Sequence, residues 1–284
     1  MRHGFLLIDK PAGITSHDAV AMVRRTLPET HAGHLGTLDP AATGLLVMGV
    51  GRKALKVIEL FNGLSKEYEA GVRFGAVSTT YDGEGVIEEV KPPGGWTVPQ
   101  QVILQRTIAD RFIGKIDQVP PSYSAIKVGG ERAYRKARQG RSVELAARQV
   151  EIISCTILSY AYPDLVLDVT CGSGTYIRSL AHDLGRLLRC GGYLKSLRRT
   201  KVGRWSVTDA VPPDKAAWAR VIPLKEVLRG FPRRELTSQE FKALGYGQDI
   251  AGTTAPGTIA WHEELPVALL EQKGEGVIHA RKML

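Results

Sequence analysis

The chain has 284 residues, enough for one large core and a small second unit. Apolar residues make up 43% and charged residues 24%, an ordinary globular balance for which disorder is not the default reading. The formal net charge of +9, with a pI near 9.5, points toward a polyanionic partner and away from a basic one.

In chain order, Phe5 to Ile8 is a short apolar strand closed by the turn cluster Asp9-Lys10-Pro11-Ala12-Gly13. Thr15 or Ser16 caps a predicted helix running to about Leu27, with Val20, Val23 and Leu27 on one face. His31 to Thr43 is expected to be a polar, glycine-containing loop. Leu45 to Val50 is a buried strand, followed by a helix from Lys53 to Phe61. Lys66 to Phe74 alternates: Tyr68, Ala70, Val72 and Phe74 face one way, and Glu67, Glu69, Gly71 and Arg73 the other. A helix is expected from Thr97 with Leu104, Ile108 and Phe112 on one stripe. A Pro- and Ser-rich loop spans Val119 to Val128. A strand from Leu165 to Cys171 turns through Gly172-Ser173-Gly174 into a helix from Thr175 to about Leu188. Arg229 to Arg234 reads as a domain junction, and the segment beyond it carries short strand signals. Mixed strands and helices without strict alternation favour an α+β fold with a largely antiparallel sheet.

Charge is concentrated in two blocks. From Leu184 to Trp205 lie Arg186, Arg189, Lys195, Arg198, Arg199, Lys201 and Arg204 with no acid. From Ala125 to Val150 seven basic residues, Lys127 among them, face only Glu131 and Glu144. Such localised blocks suggest nucleic acid. Cys155, Cys171 and Cys190 form no Cys-x-x-Cys pair and are odd in number, which fits a reducing compartment. The N-terminal apolar run of four residues is too short for a signal segment or a membrane span, so a cytoplasmic chain without membrane contact is expected.

The densest stretch is Gly33-His34-Leu35-Gly36-Thr37-Leu38-Asp39-Pro40-Ala41-Ala42-Thr43-Gly44. Asp39 precedes a proline, which biases its backbone to an extended form, and the glycines permit unusual angles. A carboxylate so placed, just before a buried strand, is rigid yet reachable. A turn aspartate bonded to its own backbone leaves the same signature.

Gly33 to Pro40 resembles the signature loop of the TruB family of tRNA pseudouridine-55 synthases. Four further stretches agree in order: Lys10 to Ser16, Lys66-Glu67-Tyr68, Pro120 to Lys127, and Gly174 to Arg178 with Asp183-Leu184-Gly185, after which Leu197-Arg198-Arg199 follows. The likeness spans roughly residues 4 to 210. It implies a pseudouridine synthase catalytic domain over 1–230, with a basic RNA-binding insertion around 125–150. A short β-rich domain over 231–284 is similar to a PUA RNA-binding domain. By resemblance, Asp39 is the catalytic carboxylate and Arg178 keeps it ionised and oriented. Tyr68 stacks on the target uracil, and His34 helps displace that base from the T loop. Tyr176 and Leu197 line the uracil pocket, while Lys10 and Lys127 support the site or contact RNA. Arg186, Arg198, Arg199 and Lys201 are expected to meet phosphates.

The implied reaction breaks N1–C1′ of a uridine at position 55 of tRNA, turns the uracil and rejoins it through C5. It involves no redox change, so neither a metal nor an organic cofactor is expected. The T stem-loop is the expected partner, with no obligate protein partner and a monomeric chain. The chain starts at the first motif, which favours the stand-alone bacterial type over the guide-RNA-dependent branch. Three rivals remain. The Val166 to Thr175 stretch has the strand–glycine loop–helix shape of an S-adenosylmethionine site, but no acid follows about 20 residues on to hold a ribose. His31, His34 and His182-Asp183 are too sparse for a metal hydrolase. A non-enzymatic RNA-binding or RNA-folding protein would use the same basic blocks.

Overall fold

A computed structural model describes residues 3–123, 127–128, 131–132 and 145–284, and for 127–128 and 131–132 the backbone alone. The strands are β1 (Gly4–Lys10), β2 (Ala32–Leu35), β3 (Thr43–Val50), β4 (Lys66–Phe74), β5 (Ala76–Ser78), β6 (Ile87–Glu89), β7 (Gly114–Gln118), β8 (Lys127–Val128), β9 (Glu131–Arg132), β10 (Arg148–Ala161), β11 (Asp164–Cys171), β12 (Gly192–Val202), β13 (Trp205–Ser206) and β14 (Ile222–Pro223), with β15 (Arg233–Glu235), β16 (Ile250–Ala251), β17 (Ile259–His262), β18 (Leu265–Gly274) and β19 (Val277–Met283) after them. The helices are α1 (Ser16–Thr26), α2 (Arg52–Val57), α3 (Gln101–Phe112), α4 (Ile177–Leu187), α5 (Leu224–Val227) and α6 (Ser238–Gly245).

The main sheet runs β14-β1-β3-β12-β4-β11-β10-β7, with β2 added to β3 and β13 to β12. Its described pairings are antiparallel except β12 against β3. The α+β expectation therefore stands. Antiparallel β11 next to β4 and β10 also removes the methyltransferase reading, which needs a parallel sheet feeding the glycine loop.

Period-two alternation builds two cores from one pair of strands. Phe5, Leu7, Leu45 and Val47 face Val57, Phe61 and Trp205, while Leu6, Ile8, Leu46 and Met48 face Ala19, Val20 and Val23 of α1. Toward β4 the sheet is covered on one side. There Tyr68, Ala70, Val72 and Phe74 meet Leu104, Ile108 and Phe112 of α3 and Ile177, Leu180, Ala181 and Leu184 of α4. The opposite face carries charge, including Lys201 paired with Glu67 and Arg73 paired with Asp164.

Boundaries shift where local chemistry decides. Thr15, rather than Ser16, caps α1 and forms a capping box with Asp18. The α3 helix begins at Gln101 rather than Thr97, because Pro99 biases Val98 to an extended form. Residues 32–35, expected as loop, are the strand β2 paired to β3, since Ala32 and Leu35 are buried against the core. Gly33 and His34 interrupt the apolar signal there.

The second sheet runs β15-β17-β18-β19-β16, with α6 against it. Ile259, Trp261 and Leu269 of this sheet belong to the same core as Phe5, Leu45 and Phe61. Phe231 meets Phe61 edge-on at 5.2 Å. The C-terminal unit thus shares a core with the larger one. Polar ties add to it: Lys282 Nζ donates to Lys56 O at 2.9 Å, Lys56 Nζ donates to Met283 O, and Glu59 pairs with Arg281 and Lys282.

Candidate active site

The loop between β2 and β3 carries Asp39, and four neighbours fix its backbone. Gly13 N–H donates to Pro40 O at 2.9 Å, and Lys10 Nζ donates to the same oxygen at 3.2 Å. Ser16 Oγ both donates to Leu38 O and accepts from Leu38 N–H, each at 2.9 Å. Arg199 Nη2 donates to Gly36 O at 3.0 Å while its Nε donates to Leu45 O at 2.7 Å. Asp39 itself accepts on its backbone oxygen from Ala42 N–H at 3.1 Å, closing the turn. Gly44 has φ 99°, and a Cβ there would lie 2.3 Å from Arg199 O, so only glycine lets β3 leave the loop so close to β12.

The Asp39 carboxylate is 44% exposed and faces a guanidinium that is 9% exposed: Arg178 Nη2 lies 3.2 Å from Asp39 Oδ2. The rest of the Arg178 fork is occupied. Nη1 donates to Asp82 Oδ2 at 3.1 Å and to Thr80 O at 3.3 Å, and Nη2 donates to Tyr123 O at 3.0 Å. Asp82, 12% exposed, also accepts from Thr80 Oγ1 and from Glu84 N–H at 3.0 Å. A buried arginine held by three fixed acceptors presents its remaining charge to Asp39 in one orientation.

Asp82 is the site residue that sequence reasoning missed. Its only signal was the polar, glycine-bearing run Thr79 to Gly85, which reads as an ordinary turn. Gln118 was missed as well. Buried at the end of β7, it donates from Nε2 to Tyr176 O at 3.0 Å and accepts Tyr176 N–H on Oε1 at 2.7 Å, fixing the start of α4. Ser179 Oγ donates to Val119 O at 2.7 Å, so the proline-serine segment is laced to the same helix end.

Tyr68, Leu38, Ala42 and Leu197 pack into one cluster beside this loop. Burial raises the Tyr68 phenol above its ordinary value. The half-buried His34 ring lies edge-on to His17 with centroids 5.4 Å apart, and its Nδ1 is buried without a hydrogen bond. Burial, with His17 and Arg199 adding to it, lowers the His34 pKa to about 4, so the ring is neutral at physiological pH.

The expected basic contacts fare differently. Arg199 is 1% exposed and spends its guanidinium on backbone carbonyls, so it holds the Asp39 loop and meets no phosphate. Lys10 is wholly buried, its ammonium donating to Pro11 O, Ile14 O and Pro40 O, which fits the first of its two expected roles, support of the site, and not contact with RNA. Burial lowers its pKa, and the Asp39 carboxylate works against that shift. Arg198 and Lys201 reach the surface but in ion pairs, Arg198 with Asp9 at 2.8 Å and Lys201 with Glu67 at 2.8 Å. Arg186 is 77% exposed, 3.4 Å from Asp183. The Lys127 side chain and most of the basic segment 125–150 lie outside the described residues. Among the described residues no group of His, Cys, Asp and Glu could hold a metal ion.

A profile described as TruB family pseudouridylate synthase, N-terminal domain, matches residues 24–177, and one described as tRNA pseudouridylate synthase B C-terminal domain matches 178–216. The chain belongs to the TruB family. The tRNA pseudouridine synthase B of Mycobacterium sp. (strain KMS) is 45% identical over 264 residues, spanning 90% of this chain and 87% of that protein. Its namesake from Thermobifida fusca (strain YX) is 44% identical over 269 residues, spanning 91% and 90%. Among solved structures, one titled a Cbf5-Nop10-Gar1 complex aligns with a TM-score of 0.72 at 22% identity, over 99% of this chain and 84% of that one. That likeness concerns the fold. Within the TruB frame both profiles stop before β15, so the second sheet rests on the relatives and on its own geometry.

Proposed function

We propose that this chain converts a uridine of the tRNA T loop, position 55, into pseudouridine, with Asp39 as the catalytic carboxylate. The observation that carries the reading is the Asp39–Arg178 pair: a reachable carboxylate on a pinned loop, facing a buried guanidinium that Asp82, Thr80 and Tyr123 already orient.

The reaction exchanges the N1–C1′ bond for a C5–C1′ bond, and the proton on C5 is replaced by one on N1. No electrons are gained or lost. Attack on C1′, attack on C6 and proton abstraction all start from an ionised carboxylate, which a nearby guanidinium favours. The uracil must leave its stack before any of these can begin. Tyr68 offers the aromatic platform for the extruded base, with Leu197 packed against the same cluster, and the resemblance assigns Tyr176 to the uracil pocket. His34, neutral and half-buried, acts as a wedge rather than a phosphate clamp. Of the four residues expected to meet phosphates, Arg186 is the most exposed, while Arg198 and Lys201 can serve only by exchanging Asp9 and Glu67 for phosphate. The second sheet supplies a further RNA surface of the PUA kind. A cytoplasmic, monomeric enzyme completes the reading; among the described residues no helix is long and apolar enough to cross a membrane.

The test is incubation with an unmodified tRNA transcript followed by position-resolved mapping of pseudouridine. Wild type should modify position 55, and Asp39→Asn should abolish the product while filter binding to tRNA persists, because the amide keeps the shape but loses the anion. Near-normal turnover by Asp39→Asn would exclude Asp39 as the catalytic group.

A further inference from the structure

We infer that Tyr81 and His182 form a positioning pair for this reaction, their stacked rings fixing the loop that carries Asp82 and, through Asp82 and Arg178, the orientation of Asp39. The inference rests on the isomerase reading above.

Tyr81 immediately precedes Asp82 and has φ 65°, a left-handed conformation that a residue with a Cβ rarely adopts. Glycine would take that backbone without strain. A bulky ring at such a position persists where surrounding contacts hold it, and the contacts are there. The Tyr81 ring lies on the His182 ring with centroids 3.9 Å apart and planes 9° from parallel. Leu194 N–H donates to Tyr81 O at 2.9 Å, and Gly83 N–H donates to Leu194 O at 3.1 Å, so the backbone on both sides of Asp82 is tied to β12.

His182 and Arg178 stand one turn apart on α4 and so share a face of the helix. The Tyr81–His182 stack and the Asp82–Arg178 pair are therefore two rungs between the same loop and the same helix face. His182 Nδ1 is buried and makes no hydrogen bond, which leaves the stack to orient the ring. Asp183 and Arg186 are the charged groups beside it. If the upper rung is lost, the loop can swing on Asp82. Arg178 Nη1 then follows or loses its carboxylate, and Nη2 no longer meets Asp39 at a fixed angle. Tyr81 and His182 act on substrate only through Asp82, Arg178 and Asp39, so the loss belongs to the chemical step and leaves tRNA affinity in place.

The experiment measures single-turnover conversion of the tRNA transcript by the full chain at saturating enzyme, with filter binding and a melt for each variant, at a temperature where all are folded. Tyr81→Gly and His182→Ala should each slow the rate constant about tenfold, the factor that corresponds to one well-stacked aromatic pair. The dissociation constant should stay at the wild-type value. His182→Phe should restore the rate, since it keeps the stack without the imidazole. In an Asp82→Ala background, His182→Ala should add no further defect, because both act through the same carboxylate. Wild-type rates for Tyr81→Gly and His182→Ala would overturn the role, as would independent multiplication of the Asp82 and His182 defects. So would a His182→Phe as slow as His182→Ala. A wild-type chain that makes no pseudouridine overturns the isomerase reading and the pair's role with it, whereas wild-type turnover with unaffected variants overturns the pair's role alone.

Discussion

Arg178 and Arg199 show how differently two arginines can be used within one site. Arg178 bridges two carboxylates, Asp39 and Asp82, while Arg199 donates to the backbone of the loop and of β3. Arg199→Ala should therefore destabilise the fold by about 3 kcal/mol, by leaving a cavity and two carbonyls unpaired. The salt dependence of tRNA binding should keep its slope, whereas Arg186→Ala should flatten the log–log slope by about 0.7 to 0.9. A thermal melt and a salt titration of binding distinguish these outcomes; a flattened slope for Arg199→Ala would contradict the burial argument. His34 gives a pH prediction. Its folded pKa, about 4, lies below the ordinary 6.5, so the unfolded chain binds the extra proton between those values. The stability that a neutral His34 contributes is fully present above about pH 6.5 and is lost as pH falls toward 4. His34→Gln should lose less stability than wild type across that window, and parallel melting curves for the two would refute the assignment.

At the scale of elements, the Asp39 loop is a strand connection held from outside itself. The end of β1, the turn after it and the first turn of α1 supply Lys10, Gly13 and Ser16, and β12 supplies Arg199. Lys10→Met preserves length and burial but removes the ammonium from Pro11 O and Ile14 O and leaves Pro40 O to Gly13 N–H. A loss of about 2 to 4 kcal/mol is expected from unpairing a buried network of this kind. Turnover should fall while tRNA affinity holds, because the loop that loosens is the one bearing Asp39. A Lys10→Met protein with weakened tRNA binding and normal single-turnover rate would return Lys10 to the RNA surface. The Gln118 clamp on Tyr176 belongs to the same scheme, fixing where α4 starts and so where Arg178 points.

For the whole molecule, the shared core between the two sheets decides what truncation can do. Removing residues beyond Arg229 would strip Phe231, Ile259, Trp261 and Leu269 from the cluster that holds Phe5, Phe61 and Trp205. Apolar burial dominates folding free energy, so such a truncate should melt well below the full chain or aggregate on expression. The C-terminal unit is thus a structural prop as well as the proposed RNA surface. A truncate with the full-length melting temperature, measured by calorimetry, would show the two cores to be separable.

The sequence by itself determined the elements with strong local signals. The alternation of Lys66 to Phe74, the amphipathic stripe of α3 and the Thr15 cap all follow from periodicity and hydrogen-bonding chemistry within a few residues. It also singled out Asp39, Tyr68 and Arg178, through motif resemblance rather than spacing. Only the tertiary structure decided which charges were partners and which were free. Arg198 and Arg199 are adjacent in sequence, yet strand alternation sends one to solvent beside Asp9 and buries the other against Gly36 and Leu45. Asp82 stands 43 residues from Asp39 and 96 from Arg178, and a turn aspartate carries no local mark of an ion pair formed over that distance. Burial and long-range contact are properties of the packed chain, and they turned a block of basic residues into a loop anchor at Arg199, ion pairs at Arg186, Lys195, Arg198 and Lys201, and a backbone tie at Arg204.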